Sequence, residues 1–217
     1  MRQKFLVSFA FAATAVLAGC VYEQTGPPQQ HLADWGVQEP SKRAVSVCHA
    51  YGCQKITRVI FTNKDVKALA QVMRKIKKDD SPYEERRALA YAIAWLEIEV
   101  GKRIGTSTDR PGMDFRASGD PTQMDCVDEA TNTTSYLMFL YSHGLIKQHT
   151  VAIPISKGRI WRGVKNWPHW AAILKVNESG VRYAVDSWPF VNGENPAVVK
   201  LDEWYIRDLD NLAKSTT

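Results

Sequence analysis

At Ser142-His143-Gly144 the hydrophobic period of the chain changes from helical to alternating. Upstream, from Asp125, apolar residues recur at Ala130, Leu137 and Leu140 or Tyr141, the spacing of a helix face. Gly144 suits the left-handed residue that closes such a helix. Downstream, His149 to Ile155, Trp167 to Val176 and Val181 to Trp188 alternate as strands, with Asn177-Glu178-Ser179-Gly180 as the turn between the last two. A helix that runs into antiparallel strands is an α+β layout in which the helix packs on the sheet.

The preceding segments fit this layout. Ala44 to Cys48 and Lys55 to Thr62 are β-branched and read as two strands. A helix follows, capped by Thr62 or Asn63 and carrying Val66, Leu69, Ala70, Met73 and Ile76 on one face. Ser81-Pro82-Tyr83-Glu84 starts the next, whose middle, Leu89 to Leu96, is apolar on several sides, with Gly101 as the expected stop. From Gly105 to Pro121, glycine, proline, serine, threonine and aspartate make a loop of the kind that shapes a cleft. Leu201 to Leu212 reads as a short closing helix, and Lys214 to Thr217 as a fraying end.

Met1-Arg2-Gln3-Lys4 is a basic head, Phe5 to Ala18 an apolar run, and Leu17-Ala18-Gly19-Cys20 closes it with small residues before a cysteine. The run is shorter than the roughly 20 residues that span a bilayer. It resembles a bacterial lipoprotein signal peptide, which implies removal of residues 1–19, lipid on Cys20 and a periplasm-facing protein; Val21 leans towards the outer membrane. A plain secretory signal or a retained anchor are the alternatives. Residues 20–44 carry Gly26-Pro27-Pro28-Gln29-Gln30, Gly36, Pro40 and few aliphatics, and read as a flexible tether, with Trp35 packing on the domain. Residues 45–217 remain as a single α+β domain.

The net charge of +5 falls to +3 when Arg2 and Lys4 leave with the signal, so no nucleic-acid footprint follows. The basic run Arg74-Lys75-Ile76-Lys77-Lys78 suits the carboxyl end of a helix dipole. Cys48 and Cys53 lie close enough to form a disulfide in an oxidising compartment, which leaves Cys126 as a free thiol; a bridge from Cys126 to either of them also fits. No cofactor is expected.

Asp125 is placed as the N-cap of the helix at Cys126, so the thiol sits in a first turn whose partial positive charge favours the thiolate. If Gly180 lies in a hairpin turn, His169 near the start of one strand faces Asp186 near the end of the next. A thiol, an imidazole to take its proton and a carboxylate to orient the imidazole are the parts of an activated cysteine nucleophile. Gln123 is the candidate side-chain donor to an oxyanion, alongside the Cys126 N–H. Trp167, Trp170 and Trp188 either wall a substrate groove or belong to the core, as does Trp161. His31, His49, His143 and His149 have no matching acid and read as structural or surface residues.

Asp125-Cys126-Val127-Asp128, His169-Trp170-Ala171-Ala172-Ile173-Leu174 and Ala184-Val185-Asp186-Ser187 occur in the order found in the transglutaminase-like superfamily, and the chain resembles its bacterial cysteine peptidases over residues 85–190. Met124 and Ser187 depart from that pattern, where glycine and asparagine are usual. The resemblance implies a papain-like core with Cys126, His169 and Asp186 catalytic. It also raises calcium binding at Asp125, Asp128 and Glu129, against the plainer reading that these acids complement the helix dipole.

The expected function is therefore a cysteine hydrolase or acyl transferase acting on amide bonds of a peptide or protein, attached to the membrane through its N-terminal lipid. The alternative is an inactive lipoprotein of the same fold that binds a peptide or glycan. Acyl transfer to small amines is less favoured, because no acyl-carrier signature is visible.

Overall fold

Thr62, Ser81 and Asp125 each accept a backbone N–H from the turn that follows, and the three long helices begin where these caps fall. The computed structural model describes residues 25–158 and 168–206. In chain order the elements are α1 (Pro28–Asp34), β1 (Ala44–His49), β2 (Lys55–Ile60), α2 (Asn63–Ile76), α3 (Pro82–Ile104), α4 (Cys126–Ser142), β3 (His149–Lys157), β4 (His169–Val176), β5 (Arg182–Asp186), β6 (Ala197–Lys200) and α5 (Leu201–Ile206), with a 3-10 turn at Phe115–Ala117. The expected signal peptide, Cys20, Trp161, Trp167 and residues 207–212 of the expected closing helix lie outside the described residues.

The architecture is α+β with two antiparallel sheets. β1 pairs with β2, and β3-β4-β5-β6 form a meander in which the turn Asn177 to Gly180 joins β4 to β5 as the alternation predicts. Successive residues of β4 face opposite ways: Ala172 and Leu174 join the main core with Leu89, Ile93, Leu137 and Leu140 of α3 and α4, while Ala171 and Ile173 pack with Leu201 and Trp204 of α5. The sheet thus lies between α4 and α5, and β4 is covered on both faces.

α4 is buried along almost its whole length, including its polar residues. Several of those groups are bonded: Asn132 both donates to and accepts from the backbone of Cys48, Thr131 pairs with His31 at 2.9 Å and Thr134 donates to the Ala130 carbonyl, whereas Ser135 Oγ has no partner among the described residues.

Two expectations fail for physical reasons. Residues from 28 onward are not tether: α1 buries His31 and Leu32, and Leu32 packs with Val37 and the Cys48–Cys53 pair. The segment is polar in composition, but one histidine and one leucine suffice to dock it. Gly101 does not stop α3, which continues to Ile104 and closes at Gly105 with φ 89°. A Cβ on Gly101 would lie 3.0 Å from Ser107 Oγ and 3.1 Å from Ser107 Cα, so this glycine permits a close approach of the following loop.

Candidate active site

Two loops converge on the start of α4. The Cys48–Cys53 disulfide closes a turn in which Ala50, Tyr51, Gly52 and Cys53 all have positive φ, between 54° and 72°. Consecutive left-handed residues are costly for side chains other than glycine, and here they aim backbone N–H groups inward. Tyr51 and Cys53 donate to Asp128 at 2.8 and 2.7 Å, and Gly52 donates to Asp125 at 3.1 Å. Asp125 also caps Val127 and Asp128, and Asp128 accepts from Asp125 N–H in return, a capping box. These two carboxylates are therefore occupied by backbone donors and hold Cys126 at the first position of α4.

The hairpin brings His169 and Asp186 together diagonally: β4 and β5 pair from Ala172 and Val185, which sets Asp186 near Ala171, two residues from His169 on the same face, and Nε2 lies 2.6 Å from Asp186 Oδ2 with both side chains buried. A carboxylate can only accept, so Nε2 carries the proton and Nδ1 is the basic nitrogen. Nδ1 is buried with no hydrogen-bond partner among the described residues. Asp186 Oδ2 accepts a second bond, from Trp204 Nε1 at 2.8 Å, and the imidazole contacts the rings of Trp188 and Trp204 at 4.8 and 5.6 Å.

Cys126 is free and 5% exposed. Its thiol donates to the Pro168 carbonyl at 3.7 Å, next to His169 in the chain, and not to Nδ1. Burial pushes the thiol up to about 12, opposed by the Trp170 N–H and reinforced by Asp125 and Asp186. The expected thiolate is corrected accordingly: the helix end does lie at Cys126, but desolvation and two nearby carboxylates outweigh its dipole. A cavity of about 270 Å³ reaches the cysteine between Tyr51 of the disulfide loop, Met113 and Phe115 of the following loop, and Trp188. A larger hollow of about 420 Å³ lies elsewhere, lined by Arg74, Lys77, Lys78 and Lys147.

Other expectations are redistributed. Gln123 is no oxyanion donor: its amide donates to the Thr108 and Thr122 carbonyls, and its oxygen accepts the Arg110 N–H, so both ends clamp the loop. Trp188 belongs to the cleft, but Trp170, one residue along β4 from His169, points the other way and stacks on His31 at 5.3 Å. Asp125 and Asp128 are spent on backbone donors. Among the described residues only Cys48, Cys53 and Asp128 have metal-ligand spacing, and those two sulfurs are bonded to each other. His149 does have an acid partner, Glu85 at 2.9 Å, in a buried pair that joins α3 to β3. His31 and His49 are buried and bonded, and His143 caps the Lys42 carbonyl.

Behind the site lies a group of buried acids. Burial pushes Glu97, Asp109 and Asp128 each up to about 7, and Glu129 well above the usual carboxylate range, where Glu97, Asp109, Asp128 and Asp186 all oppose its ionisation. Glu97 accepts from Gly193 N–H at 3.1 Å through one oxygen, while its other oxygen has no partner. Asp128 and Glu129 stand out in the sequence beside Cys126, but the arrival of Glu97 and Asp109 next to them, and of Trp204 at Asp186, does not. The one signal for Trp204 was its place three residues after Leu201 on a short helix.

Compared with known protein families, curated proteins and solved structures, the chain finds no match. The site itself combines an imidazole oriented by a carboxylate, a free thiol bonded to the carbonyl of the residue before that histidine, and a cleft that reaches the thiol.

Proposed function

We propose that the protein is a cysteine hydrolase or acyl transferase of transglutaminase-like, papain-like type, acting on an amide bond of a peptide or protein. The observation that carries this reading is the buried His169–Asp186 pair at 2.6 Å, with the free thiol of Cys126, at the first turn of a buried helix, bonded to the carbonyl of Pro168, the residue before His169. In the proposed reaction the thiol leaves the Pro168 carbonyl and attacks the substrate carbonyl carbon as its proton passes to His169 Nδ1. The carbonyl electron pair moves onto oxygen, next to the Cys126 N–H, which has no intrahelical acceptor. The C–N bond then breaks, the amine leaves with the Nδ1 proton, and water or a second amine resolves the thioester.

The proposal includes attachment through Cys20 and a position facing the periplasm. The Cys48–Cys53 disulfide supports an oxidising compartment.

One observation favours the second reading, an inactive protein that binds a peptide or glycan in the same cleft: the thiol is pushed up to about 12 and bonded away from Nδ1. Iodoacetamide labelling of Cys126 across pH, with Cys20 removed and beside His169→Asn, separates the two. Labelling near pH 6–7 that slows at least about tenfold in the variant supports catalysis, in line with the general-base contribution of a positioned histidine. Labelling that rises only at alkaline pH, equally in both proteins, supports the binding protein.

A further inference from the structure

We propose that Trp204 is a positioning residue of the candidate active site, holding Asp186 in its ionised, histidine-bonded form through the indole N–H. The inference rests on the reading of Cys126, His169 and Asp186 as a catalytic set.

Asp186 is 1% exposed, and its Oδ1 has no hydrogen-bond partner among the described residues. Among those residues its hydrogen bonds fall on Oδ2, from His169 Nε2 at 2.6 Å and Trp204 Nε1 at 2.8 Å. Asp186 stands near enough to the buried Glu129 carboxyl to oppose its ionisation. A buried carboxylate with one bare oxygen and an acidic neighbour is disfavoured, so each donor to it counts. Trp204 is itself fixed. It is fully buried with Ile155, Ala171, Ile173, Ala184 and Leu201, and Lys157 lies over its ring at 4.4 Å while bonding its carbonyl.

A buried core tryptophan also seeks a partner for its N–H. The geometry here goes further, because the indole shares one oxygen with the imidazole and its ring packs against that imidazole at 5.6 Å. Deleting one of the two donors to Asp186 Oδ2 leaves the imidazole to face more of the carboxylate charge, which favours the protonated ring.

The test is the pH profile of Cys126 labelling by iodoacetamide in Trp204→Phe, which keeps an aromatic ring and deletes the N–H. Ile206→Ala, at an 85% exposed position of the same helix, serves as a control for a change in α5 that leaves the packing around Trp204 intact. The midpoint of the His169-dependent limb should rise by about one pH unit in Trp204→Phe and stay put in Ile206→Ala, since a hydrogen bond to a charged group is of that size. An unmoved midpoint in Trp204→Phe, or an equal shift in Ile206→Ala, overturns the inference. If instead the wild type shows no limb that His169→Asn removes, the catalytic reading itself fails. A second measurement needs neither a reactive thiol nor a substitution at Trp204: the ¹⁵N-indole resonance of Trp204 in the intact protein should shift in step with the titration of the His169 ring. A resonance that stays flat through that titration overturns the inference independently.

Discussion

Asp128 Oδ1, in the first turn of α4, accepts the backbone N–H of Cys53 at 2.7 Å, so the disulfide loop and the candidate nucleophile share one hydrogen-bond network. The left-handed run from Ala50 to Cys53 is held by the covalent bridge on one side and by Asp125 and Asp128 on the other. Replacing Cys48 and Cys53 with serine should lower stability to urea by about 2 kcal/mol, the size expected for so short a loop. Hydrogen exchange at the Val127 and Asp128 amides should quicken in the same variant. Exchange that stayed at the wild-type rate would show that the loop does not restrain the helix start.

Burial is the largest cause of the raised Cys126 thiol, and Trp188 forms part of the wall that buries it. Trp188→Ala should admit water, lower the thiol from about 12 towards its ordinary range and move alkaline labelling of Cys126 to lower pH. The truncation should also cost about 3–5 kcal/mol of stability. A labelling onset at the same pH as wild type, in a variant shown to be folded, would contradict this account.

Glu97 has a folded-state pKa raised to about 7 by burial, above its unfolded value of about 4.3. The sign follows: protonated Glu97 is tolerated below about pH 4, and its contribution to stability is lost as pH rises to about 7. Glu97→Gln removes the ionisation, so its melting temperature relative to wild type should be several degrees more favourable at pH 8 than at pH 5. A difference that is constant between the two pH values would sink the assignment of Glu97 as a buried neutral acid.

Gly101→Ala sets two effects against each other. Alanine is the better helix former by about 1 kcal/mol, whereas overpacking a tight site costs about 1–3 kcal/mol. The new Cβ would meet Ser107 backbone at 3.1 Å as well as two side chains, so the clash should win. Chemical denaturation should show a net loss of stability, and a gain would mean that the loop after α3 yields freely.

What could be read in advance was what depends on neighbours in the chain. The caps at Thr62, Ser81 and Asp125, the β4–β5 turn and the resulting approach of His169 to Asp186 are all local consequences of residue type and spacing. The failures are of another kind. Gln123 has the right chemistry for an oxyanion donor, but Thr108 and Arg110, distant in the chain, occupy its amide. The thiol of Cys126 has the right helix position, but how deeply it is buried depends on loops folded over it. Trp204 reaches Asp186 only because α5 docks on the far face of the sheet, which no periodicity in either segment reveals.

The docking of α1 also sets a leash. With the body of the protein beginning near Pro28, an anchor at Cys20 would be separated from it by about eight residues, which span at most roughly 30 Å when fully extended. A lipid-held enzyme on so short a lead would search a shallow layer beside its membrane, and its targets would have to bring their cleavable segments into that layer.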